Sequence, residues 1–142
     1  MFRPTNPNPK KYLRWYTADA DECKTGVLVK SNSGADPVAA AHTGQTILGV
    51  VVEDSLVADA EVLIHSVVGE ILEIDYYASS TKQTFAATDL GTLYDIIADG
   101  TTGEQFLDLD DTTGGFLFLV GYDNDRKKAY VAIDAADILL NV

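Results

Sequence analysis

Apolar positions in this chain come in short runs, and those between residues 47 and 76 are the clearest. Ile47 to Val52 is apolar throughout apart from Gly49, the pattern of a strand covered on both faces. Val62 and Ile64 then share one face, with Leu63 and His65 opposite. Leu72, Ile74 and Tyr76 alternate with Glu73 and Asp75, the period of two expected of a half-buried strand. Gly69 breaks the periodicity and predicts a tight turn or bulge. The stretch 47–74 therefore reads as three consecutive strands forming a small central sheet.

The rest of the pattern is similar in grain. Residues 26–30 (GVLVK) predict a first short strand, followed by a loop over 31–37 and an Ala-rich stretch, 38–42, that reads as one helical turn or as irregular backbone. A polar run over 78–84 precedes Asp89 to Ile96, whose Gly91 and flanking acids predict a turn leading into a strand. Further strands are expected over 105–109, 116–122 and 129–133, separated by DDTTGG at 110–115 and DNDRKK at 123–128. Residues 135–142 predict a last strand or a helical turn, whose Ile138, Leu139 and Leu140 need cover. Seven to eight short strands with turn chemistry between them, and no long amphipathic helix, predict an all-β fold: a single small β-barrel or β-sandwich domain.

Residues 1–18 differ. Pro4, Pro7 and Pro9 favour extended backbone and block a helix, so this segment reads as an extended N-terminal arm ahead of an acidic β-rich domain over 19–142. The arm ends in a basic and aromatic stretch, Lys10-Lys11-Tyr12-Leu13-Arg14-Trp15-Tyr16, holding the sole tryptophan. Large rings beside cationic side chains suit an anchor on a partner surface. The alternative is that the same rings fold back over the chain's own core.

Composition narrows the classes. A chain of 142 residues with 46% hydrophobic content supports one folded domain. No apolar run approaches the roughly 20 residues of a membrane-spanning helix, and the first residues lack a signal-peptide core, so synthesis in the cytoplasm and no membrane partner are expected. One cysteine, Cys23, excludes an internal disulfide framework. The net charge of −12 is uneven, because Arg3, Lys10, Lys11 and Arg14 all precede the first acid, Asp19. An acidic body repels phosphates, so direct nucleic-acid binding is not expected.

Candidate chemistry is sparse. A hydrolytic triad needs an imidazole, and the two available, His42 and His65, have no nucleophile motif near them. Asp108 to Gly115 and Asp123 to Asp125 place hard oxygen donors on loops, which calcium favours, but neither completes an EF-hand pattern. The reading is of a protein that is not an enzyme and has no metal, cofactor or catalytic residue.

One resemblance is more specific. Gln45-Thr46-Ile47-Leu48-Gly49-Val50-Val51, Glu61-Val62-Leu63-Ile64 and Val68-Gly69-Glu70-Ile71-Leu72-Glu73 look like the GxxILGV, AGExVxV and GxV progression of the bacteriophage capsid decoration (cement, or head-stabilising) proteins. Leu90 to Ile96 and Gly121-Tyr122-Asp123 are similar to the second half of such proteins. The match covers residues 26–133 and departs at Ala60, where the family often has glycine. The resemblance implies a non-enzymatic structural protein of the virion, bound as a homotrimer to the major capsid protein on the outer surface of the icosahedral head, which it stabilises. On that reading Arg3, Lys10, Lys11, Tyr12, Arg14, Trp15 and Tyr16 are the capsid-binding residues. The alternative is a β-sandwich carbohydrate- or cell-surface-binding module, calcium-dependent in one version, with Trp15, Tyr76 and Tyr77 stacking on sugar rings.

Overall fold

The computed structural model describes residues 1–5, 13–18, 23–53, 61–78 and 81–139. The fold is all-β, as the sequence pattern predicts. The described residues contain twelve strands in two sheets: β1 (Arg3–Pro4), β2 (Leu13–Thr17), β3 (Leu28–Ser31), β4 (Ala35–Pro37), β5 (Ile47–Glu53), β6 (Glu61–Ser66), β7 (Leu72–Tyr77), β8 (Leu93–Tyr94), β9 (Ile96–Ala98), β10 (Gln105–Asp108), β11 (Leu117–Asp123) and β12 (Lys128–Ile133). The count exceeds seven or eight because β1, β2 and β4 carry no strong alternation, and because the segment after Gly91 divides at Asp95 into β8 and β9. No helix among the described residues is long and apolar enough to cross a membrane.

The five-stranded sheet runs β2-β6-β5-β3-β4, and a parallel bridge between Ala18 and Ala35 brings its two outer strands together. The seven-stranded sheet runs β8-β11-β12-β7-β10-β9, with β1 also paired to β7. Its terminal strands are the two halves of one segment, β8 pairing with β11 and β9 with β10, so this sheet nearly closes into a barrel. Asp95 sits at the seam. Its amide donates to Asp111 O, its carbonyl accepts from Asp108 N, and its buried carboxylate accepts from Ala41 N at 2.7 Å and Ile96 N at 2.8 Å. Burial raises its pKa, and the Asp111 and Asp108 charges add to the rise against those two amides.

The central three strands do not form one sheet. β5 and β6 lie in the five-stranded sheet, whereas β7 lies in the seven-stranded one. A turn at Val68 and Gly69, with Gly69 at φ +69° and Glu70 N donating to Val67 O, passes the chain between them. The unbroken apolar run of β5 has a related cause. Val29 faces Gly49 but Lys30 faces Ile47, so Leu48 and Gly49 form a bulge. The bulge shifts the alternation by one: Ile47 and Val50 join the larger core with Leu72, Leu107 and Leu117, while Leu48 and Val51 join a smaller core with Val29, Val62 and Ile64. Gly49 is obligatory there, because a Cβ would lie 2.1 Å from His65 O.

The two sheets are tied by Gln105, buried at 1% exposure on β10. Its Oε1 accepts from Leu28 N at 2.7 Å, and its Nε2 donates to Leu28 O at 3.2 Å and Val38 O at 2.9 Å. The stretch 38–42 is irregular, and residues 135–139 hold a short 3-10 turn over Ala135–Asp137, after which Ile138 bridges to Ile47 and is buried in the larger core; residues 140–142, Leu140 among them, lie outside the described residues.

Candidate partner-binding face

The expected arm is in part sheet. Phe2 is buried, with its amide donating to Gly26 O at 2.8 Å; β1 pairs with β7, and Thr5 N donates to Ile71 O at 3.1 Å. β2 pairs along its length with β6, from Leu13 opposite His65 to Thr17 opposite Glu61. The extended backbone that prolines favour is also strand geometry, and Pro4 is tolerated at an edge where its missing N–H is not called on. Residues 6–12, and with them Lys10, Lys11 and Tyr12, lie outside the described residues.

The predicted contact residues are therefore divided between sheets. Arg3 stands on β1 with Nη1 3.4 Å from Glu73 Oε1, an exposed ion pair within the chain. Arg14, Trp15 and Tyr16 stand on β2, opposite Ile64, Leu63 and Val62. Alternation separates the two rings. Tyr16 packs half-buried against the smaller core, whereas Trp15 turns outward and is 54% exposed. Across the ladder Trp15 meets half-buried Leu63, which in turn faces the irregular pair of exposed residues Val52 and Glu53. An indole fixed by its strand loses little freedom on docking.

The other residues singled out by sequence serve the fold. His42 is buried edge-on to Phe116, and its Nε2 lies 3.0 Å from Gly44 O, 3.4 Å from Thr46 Oγ1 and 4.0 Å from Asp137 Oδ1. All three partners approach the same ring nitrogen, whereas a catalytic relay uses the two nitrogens for different partners. Burial raises the Asp137 carboxyl pKa, partly offset by His42. His65 is buried with Nδ1 2.7 Å from Ser66 O.

Loop carboxylates close turns. Asp108 accepts from Asp110 N, Asp111 from Thr113 N and Asp123 from Arg126 N. Asn124 brackets Phe85, accepting from its amide at 3.0 Å, donating to its carbonyl at 2.9 Å, and also accepting from Tyr76 Oη at 3.1 Å. Among the described residues no group of three or more His, Cys, Asp or Glu side chains could hold a metal ion. Tyr76, expected to be exposed for sugar stacking, is instead buried against Phe85, because it shares the inward face of β7 with Leu72 and Ile74.

Two further outward features lie on the seven-stranded sheet. Phe118 and Val120 on β11 are exposed with Leu90 nearby in sequence to their β8 neighbour, and no sequence signal marked them, since Leu117-Phe118-Leu119-Val120 is apolar throughout. Tyr77 on β7, exposed as expected, meets Phe106 on β10, which the sequence did not single out, on an outer face at 6.4 Å between ring centroids. No protein-family model matches the chain, and no curated protein matches it.

Proposed function

We propose that this chain is a structural, non-enzymatic binding protein of the capsid-decoration kind. It docks on the outer surface of an assembled icosahedral phage head against the major capsid protein and reinforces it, acting as a trimer whose repeated weak contacts add through multivalency. The observation that supports this reading is Trp15, 54% exposed on the strand that begins the five-stranded sheet. Covering the exposed part of such an indole is worth about 3 kcal/mol. Lys10, Lys11 and Arg14 supply charge beside it in sequence, so docking weakens as salt rises.

The test is cosedimentation with shells of the cognate major capsid protein. Deleting the first residues is unsuitable, because it would remove Phe2 from the core and two strands from the sheets. The Trp15→Ala variant is expected to unfold near the wild-type temperature and to bind shells about 30-fold or more weakly. Wild-type protein that stays in the supernatant, or a variant that pellets with undiminished affinity, overturns the proposal.

A further inference from the structure

The outer face of the seven-stranded sheet holds a cleft of a different character. Tyr77 on β7 is 47% exposed, Phe106 on β10 is half-buried, and Ile97 on β9 lies directly across the ladder from Phe106. The Tyr77 and Phe106 rings are inclined at 49°, so they form a wedge and not a stack. With Ala98 and Asp99 these residues line an open cleft of about 200 Å³.

Asp99 is the one charged group among the described residues of the lining. Its Oδ1 accepts from Thr101 N at 2.7 Å and Thr102 N at 2.9 Å. Those amides hold its pKa below the ordinary value, so the group is a fixed anion at neutral pH. Among the described residues no lysine or arginine lines the cleft to neutralise it.

Two aromatic faces and one fixed carboxylate define what fits. A sugar needs several donors and acceptors spread around its ring, and the lining is otherwise largely apolar. A nucleotide brings phosphate into the field of a chain with net charge −12. A guanidinium is flat, weakly hydrated and cationic: it stacks on an aromatic ring while its forked N–H groups donate to a carboxylate. The negative field of the chain draws it in.

We propose that the Tyr77–Phe106–Asp99 cleft receives an arginine side chain presented by a protein partner. The cleft and Trp15 lie on different sheets, so this inference does not depend on capsid docking. The test is an NMR titration of the isotope-labelled full chain with Nα-acetyl-arginine amide. Backbone signals of Ile97, Ala98, Asp99 and Phe106 are expected to shift saturably, and less so as salt rises. The citrulline analogue, of the same shape without the charge, and methyl glucoside are expected to leave them in place. Asp99→Asn, which keeps an acceptor for the turn, is expected to weaken binding about threefold or more. Tyr77→Ser, at an exposed position, is expected to weaken it as well and carries the test if the Asp99 variant does not fold. No saturable shift, an equal response to citrulline or glucoside, or wild-type affinity in the folded variants overturns the assignment.

Discussion

Gln105 offers the most quantitative test of how the two sheets are held together. Replacing it with leucine keeps the bulk of the side chain and removes all three of its hydrogen bonds. Leu28 N, bonded at 2.7 Å, is left as a buried donor without an acceptor, while Leu28 O keeps its bond from Val38 N at 2.9 Å. Val38 O loses the donor it had at 2.9 Å. A stranded amide costs about 1–3 kcal/mol, and an under-satisfied carbonyl somewhat less. Gln105→Leu should therefore lose about 2–4 kcal/mol, a large part of the roughly 5–15 kcal/mol that stabilises a domain. Gln105→Glu separates the contributions. One oxygen still accepts from Leu28 N, but the other replaces an NH₂ group and faces Leu28 O and Val38 O. Protonated, it can donate to one of them; ionised, it is repelled by both. Its folded-state pKa must then rise above the unfolded value of about 4.3, and stability is lost as pH rises through that interval, at about 1.4 kcal/mol per pH unit. Urea unfolding at about pH 4 and about pH 7 reads both effects. Gln105→Leu should show the same deficit relative to wild type at both, and Gln105→Glu a deficit that grows toward neutrality. A loss below about 1 kcal/mol for the leucine variant, or a glutamate deficit that does not vary with pH, would refute the accounting.

Two further substitutions probe the bulge and the Lys82–Asp89 ion pair. Gly49→Ala sets a Cβ 2.1 Å from His65 O and 2.7 Å from Ile64 Cγ2, and since the first is backbone it cannot simply turn away. A loss of about 3 kcal/mol or more is expected, and a melting temperature within a few degrees of wild type would show that β5 relaxes without its bulge. Lys82 lies 2.5 Å from Asp89 Oδ1 and over the Phe85 and Tyr94 rings. Burial alone would raise the Asp89 pKa, but the Lys82 bond and the Ala86 amide outweigh it and leave it below 3.8. That contribution is present above 3.8 and is lost as pH falls through the lower folded-state value. Lys82→Met keeps the apolar stem over the rings, so its penalty should be at most about 1 kcal/mol at neutral pH, since the lysine is partly exposed, and should vanish in acid; urea midpoints that differ equally at both pH values contradict the pairing.

Periodicity located most strands of the β-rich body, because alternation reports directly which residues meet solvent and which meet a core. Leu72 to Tyr77 is legible in this way, whereas Leu117 to Asp123 and Lys128 to Ile133 were placed by the turn residues that bound them. The same pattern could not say which strands share a sheet. β6 and β7 read alike and are joined by a short turn, yet they belong to different sheets, since pairing depends on partners distant in sequence. Residues 1–5 are the sharper case. Their composition favours extended backbone, and only the cover needed between the sheets makes Phe2 a core residue.

The candidate faces divide in the same manner. Trp15 stood out in the sequence as the sole tryptophan beside basic residues, and the tertiary structure decided that it points outward while Tyr16 points in. Nothing local to Tyr77, Asp99 or Phe106 marks them as neighbours; strand pairing across β7, β10 and β9 brings them to one cleft. By itself the sequence determined the all-β class, the turns at Gly69, 110–115 and 123–128 and the charge of the molecule, each of which depends on neighbouring residues or on a sum over the chain, whereas the loop expected over 31–37 holds β4. The tertiary structure alone decided the division into two sheets, the Gln105 tie and the aromatic wedge, because each requires groups far apart in sequence to meet at hydrogen-bonding or van der Waals distance.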